Sequence, residues 1–152
     1  MKVVVAAIGR AKAGPERDLF QSYTTRLPWP VELKEIEIKK EADSNVRRAL
    51  EGAALVAAIP DQSRVIALDE RGKSENSEDF AARLGRWRDD GARTIVFLIG
   101  GADGLHETVR SRADAVLSFG ALTWPHMLVR ALLAEQIYRA HSILSGHPYH
   151  RG

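Results

Sequence analysis

The chain has 152 residues, 45% of them hydrophobic and 28% charged, with a formal net charge of +2 and no cysteine. That composition fits one soluble domain spanning residues 1–152, because a chain of this length buries roughly 70% of its unfolded surface. It excludes a disulfide framework, a thiolate metal site and a cysteine nucleophile. Its apolar runs, such as Gly52–Pro60 and Ile95–Ile99, are too short to cross a bilayer. The opening Met1-Lys2-Val3-Val4-Val5 reads as a strand rather than a secretory signal, so a cytoplasmic protein is expected.

Val3–Ile8 is a continuous apolar run ending at Gly9, as suits a strand buried on both faces. Gly14-Pro15 opens a helix with Leu19, Phe20, Tyr23 and Leu27 as its apolar stripe, stopped by Pro28-Trp29-Pro30. Val31–Ile38 reads as a half-exposed or edge strand. Asp43 or Ser44 caps a second helix carrying Val46, Leu50, Ala53 and Ala57, and Pro60 ends it. Arg64–Leu68 is a third strand, followed by a polar loop from Asp69 to Asn76. Ser77 caps a third helix with Phe80, Leu84 and Trp87 inward and Gly91 behind it.

Thr94–Ile99 is the most strand-like segment and runs into Gly100-Gly101-Ala102-Asp103-Gly104-Leu105. A short helix through Arg110, a brief strand at Ala115–Ser118 and a loop from Phe119 to Trp124 follow. Pro125 then opens a long helix to Ser145, stopped by Gly146. Strands and helices alternate throughout, the pattern of an α/β domain around a mostly parallel sheet.

Charge is uneven along the chain. After Asp114 the only acidic residue is Glu135, while Arg130, Arg139, Arg151 and four of the five histidines lie in that stretch. An anionic partner should meet this end. The tail His147-Pro148-Tyr149-His150-Arg151 combines basic and aromatic groups, which suits a phosphate backbone and an unstacked base. Its His-x-x-His spacing alone makes a poor metal cage, and no metal is expected.

Three loops should converge beyond the carboxyl ends of the strands, where open parallel sheets bind ligands. They follow Leu68, Ile99 and Ser118. The Gly100-Gly101 pair lacks the G-x-G-x-x-G spacing of a dinucleotide site, and Gly72-Lys73-Ser74 lacks the upstream glycine of a P-loop. Phe119–Trp124 carries no charge. Such a loop either packs on the core or lines a pocket for a flat neutral group such as adenine. The long helix has more apolar surface than docking on its own sheet requires, so a partner subunit is a reasonable expectation.

Five motifs occur in order: Leu68-Asp69-x-x-Gly72-Lys73, Ile99-Gly100-Gly101-x-x-Gly104-Leu105, Leu122-Thr123-x-Pro125-His126-x-Leu128-Val129-Arg130, Ala134-Glu135-Gln136-x-Tyr138-Arg139-Ala140 and His147-Pro148-Tyr149-His150-Arg151. With the total length, this resembles the large-subunit rRNA pseudouridine-N3 methyltransferase H family, a branch of the SPOUT methyltransferases. The resemblance implies an α/β trefoil knot with a mostly parallel five- to six-stranded sheet and helices on both faces. It also implies a homodimer binding S-adenosylmethionine and methylating N3 of a pseudouridine in 23S rRNA on the assembled ribosome, with no DNA or membrane partner. By position, Leu68, Gly100, Phe119, Gly120, Ala121, Leu122, Thr123 and Trp124 match cofactor-binding residues. Arg139, Tyr149, His150 and Arg151 match residues for substrate binding or catalysis. Trp124, where the family often has Leu or Phe, and the Glu70–Ser77 loop depart from the pattern. A non-catalytic ribosome-binding factor, or a related methyltransferase acting on another RNA such as tRNA, remains the alternative.

Methyl transfer to a ring imide nitrogen needs alignment, and either a base to take the N3 proton or cationic donors to stabilise the anion as it forms. A histidine near neutral pKa is the natural base, which points to His150. Arginines can hold phosphate or a developing oxyanion, which suits Arg139 and Arg151. Tyr149 can stack on a base.

Overall fold

The computed structural model describes residues 1–151. Five strands, β1 (Lys2–Ile8), β2 (Val31–Ile36), β3 (Ser63–Ser74), β4 (Thr94–Ile99) and β5 (Ala115–Ser118), alternate with five helices. The helices are α1 (Pro15–Thr24), α2 (Ser44–Ala57), α3 (Ser77–Asp89), α4 (Glu107–Arg112) and α5 (His126–Ser145). The strands form one sheet in the order β2-β1-β4-β3-β5, and every neighbouring pair is parallel. All their carboxyl ends therefore share one edge. This is the expected α/β architecture, with five strands rather than six among the described residues.

The run Val3–Ile8 is apolar at every position because β1 is central and both its faces are covered. Val3, Val5 and Ala7 face the core shared with Phe20 of α1, Phe80 and Leu84 of α3, and Leu133 and Ile137 of α5. Val4, Ala6 and Ile8 face Leu55 of α2 and Val109 of α4. Helices thus cover both faces, α1, α3 and α5 on one and α2 and α4 on the other.

Four local expectations change. First, β3 does not stop at Leu68 but continues through the polar segment to Ser74. After a bulge between Leu68 and Lys73 it pairs with β5 a second time, Lys73 opposite Leu117 and Ser74 opposite Ser118. Second, the α2 stripe of Val46, Leu50, Ala53 and Ala57 lies on the exposed side. Glu51, Gly52 and Leu55 turn inward instead. Gly52 allows this, since a Cβ there would come within 2.9 Å of His106 Cβ. Third, α1 ends at Thr24, so Leu27 lies beyond it, and Leu19 is exposed. Fourth, Asn76 rather than Ser77 caps α3, its side chain accepting from the Asp79 amide.

Arg130 is also not part of a basic surface. It is 2% exposed, and from the second turn of α5 it donates to Glu35 Oε2 at 2.7 Å, Gly9 O at 2.8 Å and Ile8 O at 3.1 Å. It pins α5 to the carboxyl ends of β1 and β2.

Candidate active site

The parallel register brings the ends of β3, β4 and β5 side by side, and two cavities open there. The first, of about 610 Å³, is lined by Leu68, Asp69 and Glu70, by Ile99–Leu105, and by Phe119, Gly120, Leu122, Thr123 and Trp124 of the neutral loop. Its size lies in the usual range for small-molecule sites. His126 and Val129 of α5 close it from the side.

The glycine turn that forms its floor is tight. Gly104 donates to Gly101 O at 3.1 Å and holds φ at +79°, a conformation that costs glycine little. A Cβ on Gly100 would sit 2.9 Å from Leu105 Cδ2 and 3.0 Å from Gly104 O. Two arginines tie the loops. Arg110 donates to Leu105 O at 2.9 Å and to Asp69 Oδ2 at 3.1 Å. Arg47 donates to Asp103 Oδ2 at 2.6 Å, and this hydrogen bond holds the Asp103 carboxyl below its ordinary value.

Within Phe119–Trp124 only Phe119 packs against the core. Ala121–Trp124 are exposed, Leu122 at 73%. Ser118 steadies its start by accepting from the Gly120 amide at 3.1 Å, and Gly120 takes φ +112° with open space where a Cβ would be. Burial, reinforced by Arg130, holds the imidazole of His126 below its ordinary pKa. That cavity wall is thereby kept neutral near pH 7.

The second cavity, of about 720 Å³, lies across the same loop. Leu117, Phe119, Gly120 and Trp124 line both. Its other walls come from the first turn of α3, from Leu132, Glu135 and Gln136 of α5, and from His150 of the tail.

The tail folds back on α5 after Gly146, whose φ of +75° ends the helix. Tyr149 packs edge-on against Tyr138, with ring centroids 4.8 Å apart, and Arg139 lies over its ring at 4.9 Å. Burial, with Tyr23 and Glu135 adding to it, pushes the Tyr149 phenol above its ordinary value. Arg139 Nη1 meets His150 Nδ1 at 3.0 Å, and His150 Nε2 meets Glu78 Oε1 at 3.3 Å. Arginine can only donate, so Nδ1 accepts and Nε2 carries the ring proton toward Glu78.

A family model described as "Predicted SPOUT methyltransferase" matches residues 1–150. The chain is 57% identical over 151 residues to a "Ribosomal RNA large subunit methyltransferase H" of Paramagnetospirillum magneticum, the match covering 99% of each. The chain belongs to this family of SPOUT methyltransferases. A relative of the same name from Rhodospirillum centenum is likewise 57% identical over 99% of both chains. One from Methylorubrum extorquens is 52% identical over 161 residues, covering all of this chain and 98% of the relative. Among solved structures, the SpoU methyltransferase AviRb from Streptomyces viridochromogenes, in complex with the cofactor AdoMet, superposes with a TM-score of 0.51 at 14% identity. That match covers 92% of this chain and 58% of AviRb, a likeness of fold.

Against that membership the expected site residues fall into two groups. Leu68, Gly100, Phe119, Gly120, Leu122, Thr123 and Trp124 line the first cavity. Ala121 is exposed within the same loop. His150 lines the second cavity, Arg139 and Tyr149 stand behind it, and Arg151 is exposed at the end of the tail. Sequence reasoning did not single out Asp69, Arg110, Arg47 and Asp103 as a loop brace. It also passed over Glu78 and Gln136 on the second cavity wall. A brace that joins residues 41 and 56 positions apart leaves no local spacing signal.

Proposed function

We propose that this chain uses S-adenosylmethionine to methylate N3 of a pseudouridine in 23S rRNA on the assembled ribosome, acting as a homodimer in the cytoplasm. The single observation that carries the reading is the shared wall. A neutral, loop-lined cavity and a cavity bearing His150 meet at Leu117, Phe119, Gly120 and Trp124. A methyl donor and an acceptor base need that adjacency, because in-line transfer depends on alignment.

The first cavity suits the cofactor chemically. An uncharged loop with free backbone groups can take the adenine, and Glu70 adds a carboxylate to a lining whose other two, Asp69 and Asp103, are paired with Arg110 and Arg47. Leu68, Gly100 and residues 119–124 would hold it. When bound, it supplies an electrophilic methyl whose bond to sulfur breaks as the bond to N3 forms.

The chain's own task is then to take the N3 proton and steady the base. The acceptor nitrogen of His150, Nδ1, faces Arg139. His150 therefore accepts the N3 proton once Arg139 turns that N–H to an incoming phosphate or to the developing oxyanion on the ring. Arg151, exposed in the tail, would meet phosphate. Exposed Leu122 and Trp124 give a second copy an apolar contact at the mouth of the site, and the knot implied by the resemblance belongs to the same reading. A net charge of +2 binds free RNA weakly and with strong salt dependence, so assembled ribosomes are the expected substrate.

The test is transfer from labelled S-adenosylmethionine to ribosomes lacking the modification, with the product nucleoside mapped by mass spectrometry. Label at N3 of one pseudouridine in 23S rRNA is the expected result. Label on another RNA redirects the substrate. No label together with no cofactor binding overturns the enzyme reading.

A further inference from the structure

The tail is moored by a closed circuit of side chains. Ser77 Oγ donates to Gln136 Oε1 at 2.8 Å, and Gln136 Nε2 donates to Glu135 Oε2 at 3.0 Å. Glu135 Oε1 accepts Arg139 Nε at 3.0 Å and Nη2 at 2.7 Å. Arg139 Nη1 reaches His150, whose other nitrogen returns to Glu78, the neighbour of Ser77. Glu135 Oε1 also accepts the Tyr149 hydroxyl at 3.0 Å.

From this geometry we infer that Glu135 is a positioning residue for the transfer, setting Arg139 and Tyr149 and, through Arg139, His150. The inference rests on the proposed methyl transfer and adds a residue to it. Glu135 stands where the circuit branches. It takes two of the three Arg139 nitrogens, so the guanidinium plane is fixed while Nη1 alone stays available for exchange between His150 and substrate. Its side chain is 19% exposed, so solvent screens the pair only in part. The same hydrogen bond from Arg139 raises the arginine's own pKa and keeps the cation permanent. Without the negative charge, Arg139 keeps only its contacts to His150 and the Tyr149 ring, and the Tyr149 hydroxyl is left with a weaker acceptor, which loosens the tail on α5. An α5 surface salt bridge at i,i+4 would by itself matter little. Here the acidic partner holds two residues that the transfer uses.

Glu135→Gln keeps the shape and removes the charge. Single-turnover transfer to ribosomes should fall about 10²-fold, the scale of an ångström-level misplacement, with the cofactor dissociation constant unchanged. In an Arg139→Ala background, Glu135→Gln should cost no more than Tyr149→Phe does, because the rest of its effect runs through Arg139. Tyr149→Phe, a change near the end of the chain that leaves the core untouched, should give a smaller loss that is less than additive with Glu135→Gln. Hydrogen exchange reads the mooring without activity. Amides of His147 and Tyr149, which donate to Ser142 O at 2.9 Å and His147 Nδ1 at 3.2 Å, should exchange at least tenfold faster in Glu135→Gln, with β4 unchanged. Full additivity with Arg139→Ala, or wild-type exchange in the tail, overturns the inference. Wild-type protein that transfers no methyl overturns the proposed function instead, and the exchange result still decides the role of Glu135.

Discussion

Replacing Arg130 with methionine tests the link between the core and the site. The wild-type side chain is 3% exposed and donates to one carboxylate and two carbonyls. Breaking a buried pair from one side costs about 3–5 kcal/mol, since the remaining charge is left without its partner. Glu35 is 27% exposed and also accepts the Ala11 amide at 2.6 Å. Arg130 Nε has no partner. Both facts favour the lower end, about 3 kcal/mol, a large share of a typical total of about 5–15 kcal/mol. At a urea slope of about 2 kcal/mol/M the midpoint should drop by about 1.5 M. Lysine at 130 keeps the charge but not the fork, and should fall between the two. The deficit should also depend on pH. Burial alone would raise the Glu35 pKa, but the Ala11 amide and Arg130 overcome it and hold it below 4.5. The pair's contribution is therefore complete above that value and lost as the pH falls through the lower folded one. The assay is urea unfolding of wild type and variant at pH 7 and pH 3.5. A loss under about 0.5 kcal/mol at pH 7, or a loss that grows in acid, refutes the reasoning.

Gly72→Ala should destabilise by about 1–3 kcal/mol, because the new Cβ would lie 2.7 Å from the backbone of Val116 and could not be relieved by a side-chain shift; thermal unfolding reads it. Glu51 is buried with Oε1 unpartnered, and desolvation followed by Asp103 raises its pKa. Its stability contribution is full below 4.5 and lost as the pH rises through the raised folded value, so Glu51→Gln should raise the melting temperature more at pH 8 than at pH 5. For His126 the sign reverses. Its folded pKa is lowered by burial and Arg130, so its contribution is full above 6.5 and lost as the pH falls through the lower folded value. His126→Gln should flatten the urea midpoint between pH 7.5 and 5.5.

The sequence pattern located β4 and β5 to the residue and α5 to within one, because each is an uninterrupted run with its own stop signals. The converging loops followed from the alternation of strands and helices. β3 was cut short at Leu68 because Asp69–Ser74 is polar and glycine-bearing. Its strand form comes from pairing with β5, a partner about 45 residues away that no local pattern announces. The α2 face was misassigned for a related reason. Gly52 marks the side where α4 comes close, so the absence of a side chain carried the packing signal. Arg130 looked like surface charge because a buried arginine is rare, and its acceptors lie more than 90 residues away in the chain.

Because Phe119, Gly120 and Trp124 face both cavities, the two occupants cannot be thermodynamically independent wherever either one shifts that loop. Linkage makes such coupling reciprocal: whatever factor the small ligand lends to RNA affinity, the RNA returns to the small ligand. A mutation confined to the loop would then alter the coupling between the two ligands as well as the binding of each.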